Sequence, residues 1–306
     1  MKIVDPRHLL QFHEIIRTGS FTRAAETLGL TQPALTRNMK LMEGRLGFEL
    51  LVRSRQGIVP TTVGLRILEE ANMVVLAEQR INQLTKSLKR GYDTEVRIGC
   101  TPSAGLHLLP APLVKYAQHY PEVRLDIRNG HIGILADMLI QNEVDVIFSP
   151  TSVLDQIPKG TGQHFFDNPM AVLASSRHPL ASNPRLRADD FQGQRWVLYR
   201  NETSIRRASD RLLRKLGVGA DIEARELPSN MIAPILRSGD HLAVAPRYLL
   251  DSVDRPHDLV EIRTGITGCM VSFGAIWRQD VPLNAHTQTF IDMVGNAMSI
   301  YHHPAS

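Results

Sequence analysis

The chain has 306 residues, of which 43% are hydrophobic and 22% charged, a balance typical of a folded globular protein. This length exceeds what one core usually fills and predicts about two domains. The two cysteines exclude a disulfide framework, and no window approaches the roughly 20 apolar residues of a membrane span. Because the N-terminus carries no leader pattern, we expect a soluble, cytoplasmic chain without a membrane partner.

Charge is distributed unevenly along the chain. Residues 1–60 carry nine Lys or Arg and five Asp or Glu, whereas the remainder holds 26 of each. The whole net charge of +4 therefore falls in the first fifth of the sequence. A local basic excess favours contact with a polyanion, although a few added arginines on an ordinary soluble surface give the same numbers.

Three short helices are predicted within the first 48 residues, because apolar residues recur at helical spacing. Gly19 and Gly29 suit the C-caps of the first two helices, and Ser20 suits the N-cap of the second. Thr31 begins the third helix, with Pro33 in its first turn. Two helices joined by a tight glycine-containing turn form a helix-turn-helix.

The third predicted helix has two different faces. One is an apolar stripe that can pack on the second helix, formed by Leu35, Met39, Met42 and Leu46. The other presents side chains able to bind base edges or phosphates, namely Gln32, Pro33, Thr36, Arg37 and Lys40. Because the first turns of a recognition helix reach the major groove, this face favours DNA binding over an ordinary solvated surface.

The stretch from Ser20 to Gly47 resembles the DNA-binding signature of LysR-type transcription regulators. The resemblance rests on Ala24-Ala25, Gln32-Pro33-Ala34, Glu43, Leu46-Gly47, Arg53 and Gly64. It implies a winged helix-turn-helix domain over residues 1–60 that contacts double-stranded DNA at an interrupted palindromic operator. The implied contacts on the recognition helix are Gln32, Pro33, Thr36 and Arg37. A small-molecule effector and RNA polymerase are the further partners that the resemblance implies.

A wing is predicted independently of the resemblance. The segments 50–52 and 58–59 favour two short strands around a turn that contains Gly57. Arg53 and Arg55 lie in this hairpin, which can reach a phosphate or a minor groove. Both arginines therefore join the predicted DNA contacts.

Residues 62–90 contain no proline and a single glycine, and predict one long helix. Its apolar positions lie close to heptad spacing and are Ile67, Ala71, Val74, Ile81, Leu84 and Leu88. Such a seam, with no domain around it, predicts pairing with a second copy, the alternative being a helix that lies on its own C-terminal domain. We expect residues 61–91 to link a homodimer, and the resemblance implies that such dimers often pair into a homotetramer.

After residue 91 strands and helices alternate, which predicts an α/β domain with helices on both faces of a parallel or mixed sheet. The predicted strands are 96–100, 123–128, 144–148, 170–174, 196–199, 242–245 and 271–277. The predicted helices are 105–120, 132–141, 204–216, 231–238 and 285–300.

The LysR-type resemblance implies two lobes in this effector-binding domain, residues 92–306, similar to those of periplasmic solute-binding proteins. It places the crossings between lobes near Gly162 and Thr267. Lobe I then comprises residues 92–162 and 267–306, and lobe II comprises residues 163–266.

Polar residues occur where these strands end and the next helices begin. They are Thr101, Pro102, Ser103, Ser149, Thr151, Thr203 and Ser204. Hydroxyls and free N–H groups at helix N-termini favour an anion, whereas each residue taken singly also suits an ordinary N-cap. Because strand ends meet in the cleft between lobes, we predict that this set binds a small organic acid.

Three other functional classes explain fewer features of the sequence. No motif of a nucleotide-binding loop, zinc protease or serine hydrolase occurs, so we expect no enzymatic activity, no metal and no cofactor. A thiol redox sensor would use Cys100 or Cys269, yet both lie at apolar strands and are expected to be buried. A solute-binding protein accounts for the second half of the chain and leaves the first sixty residues unexplained. The remaining alternative is an enzyme or a solute-binding domain fused to a DNA-binding module, and for the enzyme the catalytic motifs are missing.

Overall fold

The computed structural model describes residues 4–54, 57–89, 94–200, 203–219, 224–250 and 258–301. The chain divides into two compact units, Met1–Gly91 and Tyr92–Ser306, and each contains hydrophobic core of its own. None of the helices in the described ranges combines the length and apolarity needed to cross a bilayer.

The first unit contains three short helices, α1 (Pro6–Thr18), α2 (Phe21–Leu28) and α3 (Gln32–Leu46). Each begins at a residue whose side-chain oxygen accepts a hydrogen bond from the first turn, namely Asp5, Ser20 and Thr31. Each ends at a glycine in the left-handed conformation, namely Gly19, Gly29 and Gly47. These local signals confirm the predicted helix-turn-helix.

An antiparallel hairpin follows, formed by β1 (Leu51–Ser54) and β2 (Gly57–Pro60). The long helix α4 (Thr62–Lys89) begins directly after it. The Thr61 hydroxyl accepts the N–H of Gly64 at 2.9 Å and so fixes the first turn of α4. The first unit is therefore a winged helix-turn-helix with a long C-terminal helix, as the sequence predicts.

The apolar residues of α4 have two different environments. Ile67 and Ala71 pack in the core of the first unit, where Ala71 is fully buried. Ile81, Leu84 and Leu88 are exposed to solvent. The prediction of one uniform seam is thus wrong for the first turns of α4, because the winged domain covers them. The apolar face of the later turns remains uncovered by described residues of this chain.

The second unit is built on a mixed sheet, for which the described residues supply nine strands. In chain order these are β3 (Thr94–Cys100), β4 (Val123–Asn129), β5 (Val146–Pro150), β6 (Gly160–Ser175), β7 (Arg195–Tyr199), β8 (Ala224–Leu227), β9 (His241–Pro246), β10 (Leu259–Ile262) and β11 (Met270–Arg278). Their spatial order is β4-β3-β5-β11-β6-β9-β7-β8, and β10 pairs with β6.

Six helices of the second unit connect these strands within the described ranges. They are α5 (Pro102–His107), α6 (Pro110–His119), α7 (Ile132–Ile140), α8 (Ser204–Lys215), α9 (Ser229–Leu236) and α10 (Ala285–Met298). The alternation of strands and helices confirms the predicted α/β class.

Strand β6 belongs to both lobes. It pairs with β11 up to Pro169 and with β9 from Met170 onward. The first crossing therefore lies at this exchange of partners, later in the chain than the position expected near Gly162. Lobe I contains β3, β4, β5 and β11, whereas lobe II contains β7, β8, β9 and β10.

Two local predictions for this unit need correction. The single helix expected over 105–120 is two helices, because Pro110 has no N–H to continue the first and instead begins the second. Strands β8 and β10 were not expected from the sequence. Each has only four residues and is defined by pairing with a distant strand.

Candidate DNA-binding face and effector cavity

One face of α3 carries all five predicted recognition-helix contacts. The side chains of Gln32, Pro33, Arg37 and Lys40 are exposed and that of Thr36 is half-buried. The Gln32 amide donates to the Thr36 hydroxyl at 2.9 Å, which holds these two polar groups together. Three residues of the opposite stripe are buried, namely Leu35, Met39 and Met42. Burial of that stripe leaves the polar face of α3 directed away from the core.

Three exposed cations of this unit are among the predicted DNA contacts. Arg37 and Lys40 project from α3, and Arg53 lies on β1 opposite Ile58. None of the three makes an ion pair with another described residue. They are therefore free to meet an external anion such as a phosphate. Arg55, the seventh predicted DNA contact, lies outside the described residues.

Hydrogen bonds to backbone groups hold the wing against the helices. The Glu43 carboxylate of α3 accepts the N–H groups of Leu50 and Leu51 at 2.7 and 3.2 Å. The N–H of Ile58 donates to the carbonyl of Gly19 at 3.0 Å. These bonds join the wing to α3 and to the end of α1, so they hold the wing in place beside the recognition helix.

A cavity of about 540 Å³ lies between the two lobes of the second unit. Lobe I contributes Thr101, Pro102, Ser103, Gly105, Leu106, Asn129, His131, Ile132, Gly133, Pro150 and Val153. Lobe II contributes Tyr199, Arg200, Thr203, Ser204, Ile205, Leu227, Pro228, Ser229 and Asn230. The volume and the mixture of apolar walls with a few polar groups suit a small organic molecule.

Four helices begin at the cavity wall, namely α5, α7, α8 and α9. The Thr203 hydroxyl caps α8 by accepting the N–H of Arg206 at 3.0 Å. In contrast, α7 and α9 have no side-chain cap at His131 and Pro228. Helix N-termini carry partial positive charge and unpaired N–H groups, so this wall favours an anion.

The structure brings five of the seven predicted effector residues to the cavity: Thr101, Pro102, Ser103, Thr203 and Ser204. The Oγ1 atom of Thr101 is buried and has no hydrogen-bond partner among the described residues. The Ser103 hydroxyl instead hydrogen-bonds the phenol of Tyr248, a lobe II residue. Burial raises the pKa of Tyr248, so this phenol stays protonated at neutral pH.

The other two predicted residues lie away from the cavity wall. Ser149 is the penultimate residue of β5, a central strand that is buried throughout, and its hydroxyl donates to the carbonyl of Pro150 at 3.2 Å. Thr151 turns toward β11, and its hydroxyl donates to the carbonyl of Ser272 at 3.5 Å. Proximity to a strand end therefore did not place either side chain at the cavity.

Arg200 is the most informative cavity residue that the sequence analysis missed. It follows β7 directly, is exposed, and makes no ion pair with a described residue. No Asp or Glu occurs among the described residues that line the cavity. The signal in the sequence was a charged residue between the apolar strand and Thr203, the cap of α8. The polar residues Asn129, His131, Ser229 and Asn230 were missed as well.

Both cysteines are buried free thiols. Cys100 lies at the end of β3, and burial raises the pKa of its thiol to about 11. A thiol with this pKa is protonated at neutral pH and is a weak nucleophile.

The chain matches two protein-family models in separate regions. Residues 6–65 match the bacterial regulatory helix-turn-helix protein of the lysR family, and residues 89–299 match the LysR substrate binding domain. The transcriptional activator protein LysR of Escherichia coli (strain K12) is 28% identical over 253 residues, which cover 82% of this chain and 80% of that protein. Together the two models span most of the sequence.

Solved structures show the same fold at low sequence identity. Full-length BenM superposes with a TM-score of 0.56 and 18% identity, covering 99% of this chain and all of that one. The regulatory domain of Synechocystis PCC6803 CcmR, solved in complex with 2-PG, gives a TM-score of 0.56 and 21% identity over 67% of this chain and 98% of that one. The chain belongs to the LysR family of DNA-binding transcriptional regulators and carries the effector-binding domain of that family.

Proposed function

We propose that this LysR-type regulator binds an interrupted palindromic operator as a homodimer or homotetramer and that a small organic acid controls its activity. The observation that carries the effector part is the cavity between the lobes. Arg200 lies on one wall and the Thr101 hydroxyl on the other. Among the described residues neither has a side-chain partner, and none of the described wall residues is acidic. RNA polymerase at an adjacent promoter is the proposed partner that responds to the DNA-bound regulator.

The DNA contacts in this proposal come from α3 and the wing. Gln32, Pro33, Thr36 and Arg37 reach base edges from the first turns of α3, since those turns enter the major groove in helix-turn-helix proteins. Lys40, Arg53 and Arg55 meet phosphates or the minor groove. Arg37, Lys40 and Arg53 are exposed and form no ion pair with a described residue, which supports these roles.

The proposed assembly uses the later turns of α4. Ile81, Leu84 and Leu88 are 64%, 51% and 54% exposed, so three large apolar side chains of one helix contact water in the single chain. A second copy of the helix would bury them. A two-fold dimer would also present two recognition helices to the two halves of a palindrome.

The proposed effector site contains Thr101, Pro102, Ser103, Thr203, Ser204 and Arg200. An anion there meets a guanidinium and the N-termini of three helices of eight or more residues, α7, α8 and α9. The CcmR regulatory domain, which has the same fold, was solved with the small molecule 2-PG. An effector that prefers one arrangement of the regulator shifts its population, whereas equal affinity for both arrangements shifts nothing.

A thiol redox sensor is the alternative with less support. Cys100 is 1% exposed and Cys269 is 3% exposed, so neither presents sulfur to an oxidant at the surface. The raised pKa of Cys100 further disfavours the reactive thiolate.

A footprint on the promoter region next to the regulator's own gene tests the proposal, recorded with and without a panel of small organic acids. We expect two protected half-sites about one helical turn or a multiple apart, and a change in protection with at least one acid. Protection that no acid alters, but that peroxide alters, would favour the redox alternative. An absence of any protected half-site would remove the proposed operator.

A further inference from the structure

The two walls of the cavity differ in charge. Arg200 of lobe II is the one Lys or Arg among the described lining residues, and no lining residue that the structure describes is acidic. Lobe I contributes neutral hydroxyls and amides, together with the imidazole of His131. A ligand that spans the cavity therefore meets the guanidinium of Arg200 on one side and hydroxyl, amide and imidazole groups on the other.

Thr101 supplies the donor on lobe I that lacks a partner. Its hydroxyl occupies the N-cap position of α5 but makes no capping bond, and its Oγ1 atom is buried. The neighbouring Ser103 hydroxyl is already bonded to Tyr248. Since an unpaired buried hydroxyl is unfavourable, a rotation about χ1 that turns the Thr101 hydroxyl toward a ligand oxygen in the cavity gains a hydrogen bond that the described chain does not supply.

Apolar side chains occupy both walls between these polar groups. Leu106, Ile132 and Val153 lie on lobe I, and Ile205 and Leu227 lie on lobe II. These walls favour a hydrocarbon body in the ligand, because burying apolar surface removes it from water.

We propose, as an extension of the proposed effector site, that the ligand is a monocarboxylate with an apolar body and a neutral oxygen acceptor. Its carboxylate binds Arg200, and its ketone, ether or hydroxyl oxygen accepts from Thr101. A second carboxylate in place of the neutral oxygen would lose its hydration at a wall where no lysine or arginine is described. The site therefore selects against dicarboxylates of the same shape.

Calorimetry on the full chain tests this selection with three benzoates of closely similar shape. The probes are 4-acetylbenzoate, terephthalate and 4-isopropylbenzoate, which carry a neutral acceptor, a second carboxylate and no acceptor. The measurement is made at pH 8, where the carboxyl groups of all three probes are ionised. We expect 4-acetylbenzoate to bind about tenfold more tightly than terephthalate and about fivefold more tightly than 4-isopropylbenzoate.

A substitution of Thr101 separates the hydrogen bond from shape. Thr101→Val should weaken 4-acetylbenzoate about fivefold and leave 4-isopropylbenzoate within about twofold. Thr287→Val is the matched control, because the Thr287 hydroxyl in α10 is also buried and unpaired within the described chain but does not line the cavity. Thr287→Val should leave both affinities unchanged.

The same series on an aliphatic chain uses 5-oxohexanoate, glutarate and hexanoate. Tighter binding of the dicarboxylate in both series, or an equal effect of Thr101→Val on both kinds of monocarboxylate, would overturn this inference while leaving an anion site in place. If no acid of either series binds, the inference fails. The proposed function then fails with it only if no other organic acid changes the promoter footprint.

Discussion

The DNA-binding face and the effector cavity are built from very different lengths of chain. The helical part of the face lies between Gln32 and Lys40, so α3 alone positions it. The cavity wall runs from Thr101 to Asn230 in the chain and combines two lobes. An exposed side chain of this face, such as Arg37, can therefore be removed without disturbing the core, whereas the cavity depends on packing between distant segments.

The first unit also depends on a contact between segments that are distant in the sequence, namely α4 and the start of the wing. A Cβ at Gly64 would lie 2.2 Å from the carbonyl oxygen of Leu50, which leads into the wing. We expect Gly64→Ala to lower the free energy of unfolding of the first unit by about 2–3 kcal/mol, because backbone must move to relieve the clash. Urea unfolding followed by circular dichroism measures this loss.

The control for that prediction is Gly44→Ala on α3. A Cβ there meets no heavy atom within 4 Å, and alanine favours helix, so its expected effect is a gain of up to about 1 kcal/mol. Equal stability of the two variants would show that the approach of α4 to Leu50 is not tight.

Removal of one exposed side chain of α3 is expected to lower DNA affinity without lowering stability. Arg37→Ala should weaken operator binding by about 1–3 kcal/mol if Arg37 makes a bidentate base contact, with no change in unfolding. Affinity is measured at fixed salt, with Arg45→Ala, an exposed arginine in the last turn of α3, as the control. Parent-like affinity of the Arg37 variant would remove this face from the DNA interface.

The later turns of α4 form a third surface, which needs a second chain rather than a distant segment of its own. Ile81→Lys places a charge on the exposed apolar face and should weaken self-association about tenfold or more. Sedimentation equilibrium measures the shift, with Asn82→Lys as the control, because Asn82 is exposed, lies about 100° from Ile81 around the helix and gains the same single charge. A sedimentation profile identical to the parent's would mean that the copies pack elsewhere.

The ion pair between Glu14 and Arg17 in α1 is expected to make the smallest contribution to the free energy of unfolding. The pKa of the Glu14 carboxyl is lowered chiefly by hydrogen bonds from Arg17, at 2.6 and 2.8 Å. A lowered folded-state pKa gives stabilisation that is present above the unfolded-state pKa and is lost as pH falls through the folded-state pKa.

Glu14→Gln should therefore cost about 0.5–1 kcal/mol at pH 7, because the Arg17 side chain is 58% exposed and the pair is screened. This difference from the parent should shrink toward pH 3. Stability curves of parent and variant across this range measure it, and Glu26→Gln, at an exposed position of α2, serves as the control. A difference that is constant with pH would show that the ion pair does not contribute.

The ends of α1, α2 and α3 were predictable because their signals are local. Ser20, Thr31 and the glycines that follow each helix act within one turn of the chain. The two environments of α4 were not predictable from its own periodicity, since Ile67 and Ile81 are equally apolar. Contact with the winged domain distinguishes them, and that contact joins different elements.

The cavity was predictable only in part for the same reason. Thr101 and Thr203 follow strands and begin helices, so their positions followed from the alternation of elements. Ser149 has the same local pattern, but neighbouring strands cover β5 on both sides. The sequence marks Arg200 only as a charged residue between an apolar strand and Thr203, which does not distinguish a cavity residue from an ordinary surface arginine. The approach of lobe I to lobe II gives it a place on the cavity wall.

The proposed function requires that the effector cavity and the DNA-binding face be coupled, and the decisive measurement compares three proteins. It is the operator affinity of the full chain with and without the acid that alters the footprint, for the parent, Arg200→Gln and Arg211→Gln. Arg211 is an exposed arginine of α8 that does not line the cavity. We expect the acid to change the affinity of the parent and of Arg211→Gln at least about fivefold and that of Arg200→Gln less than about twofold. An equal response in all three proteins would contradict the role of Arg200, and no response in the parent would contradict the coupling between the cavity and DNA binding.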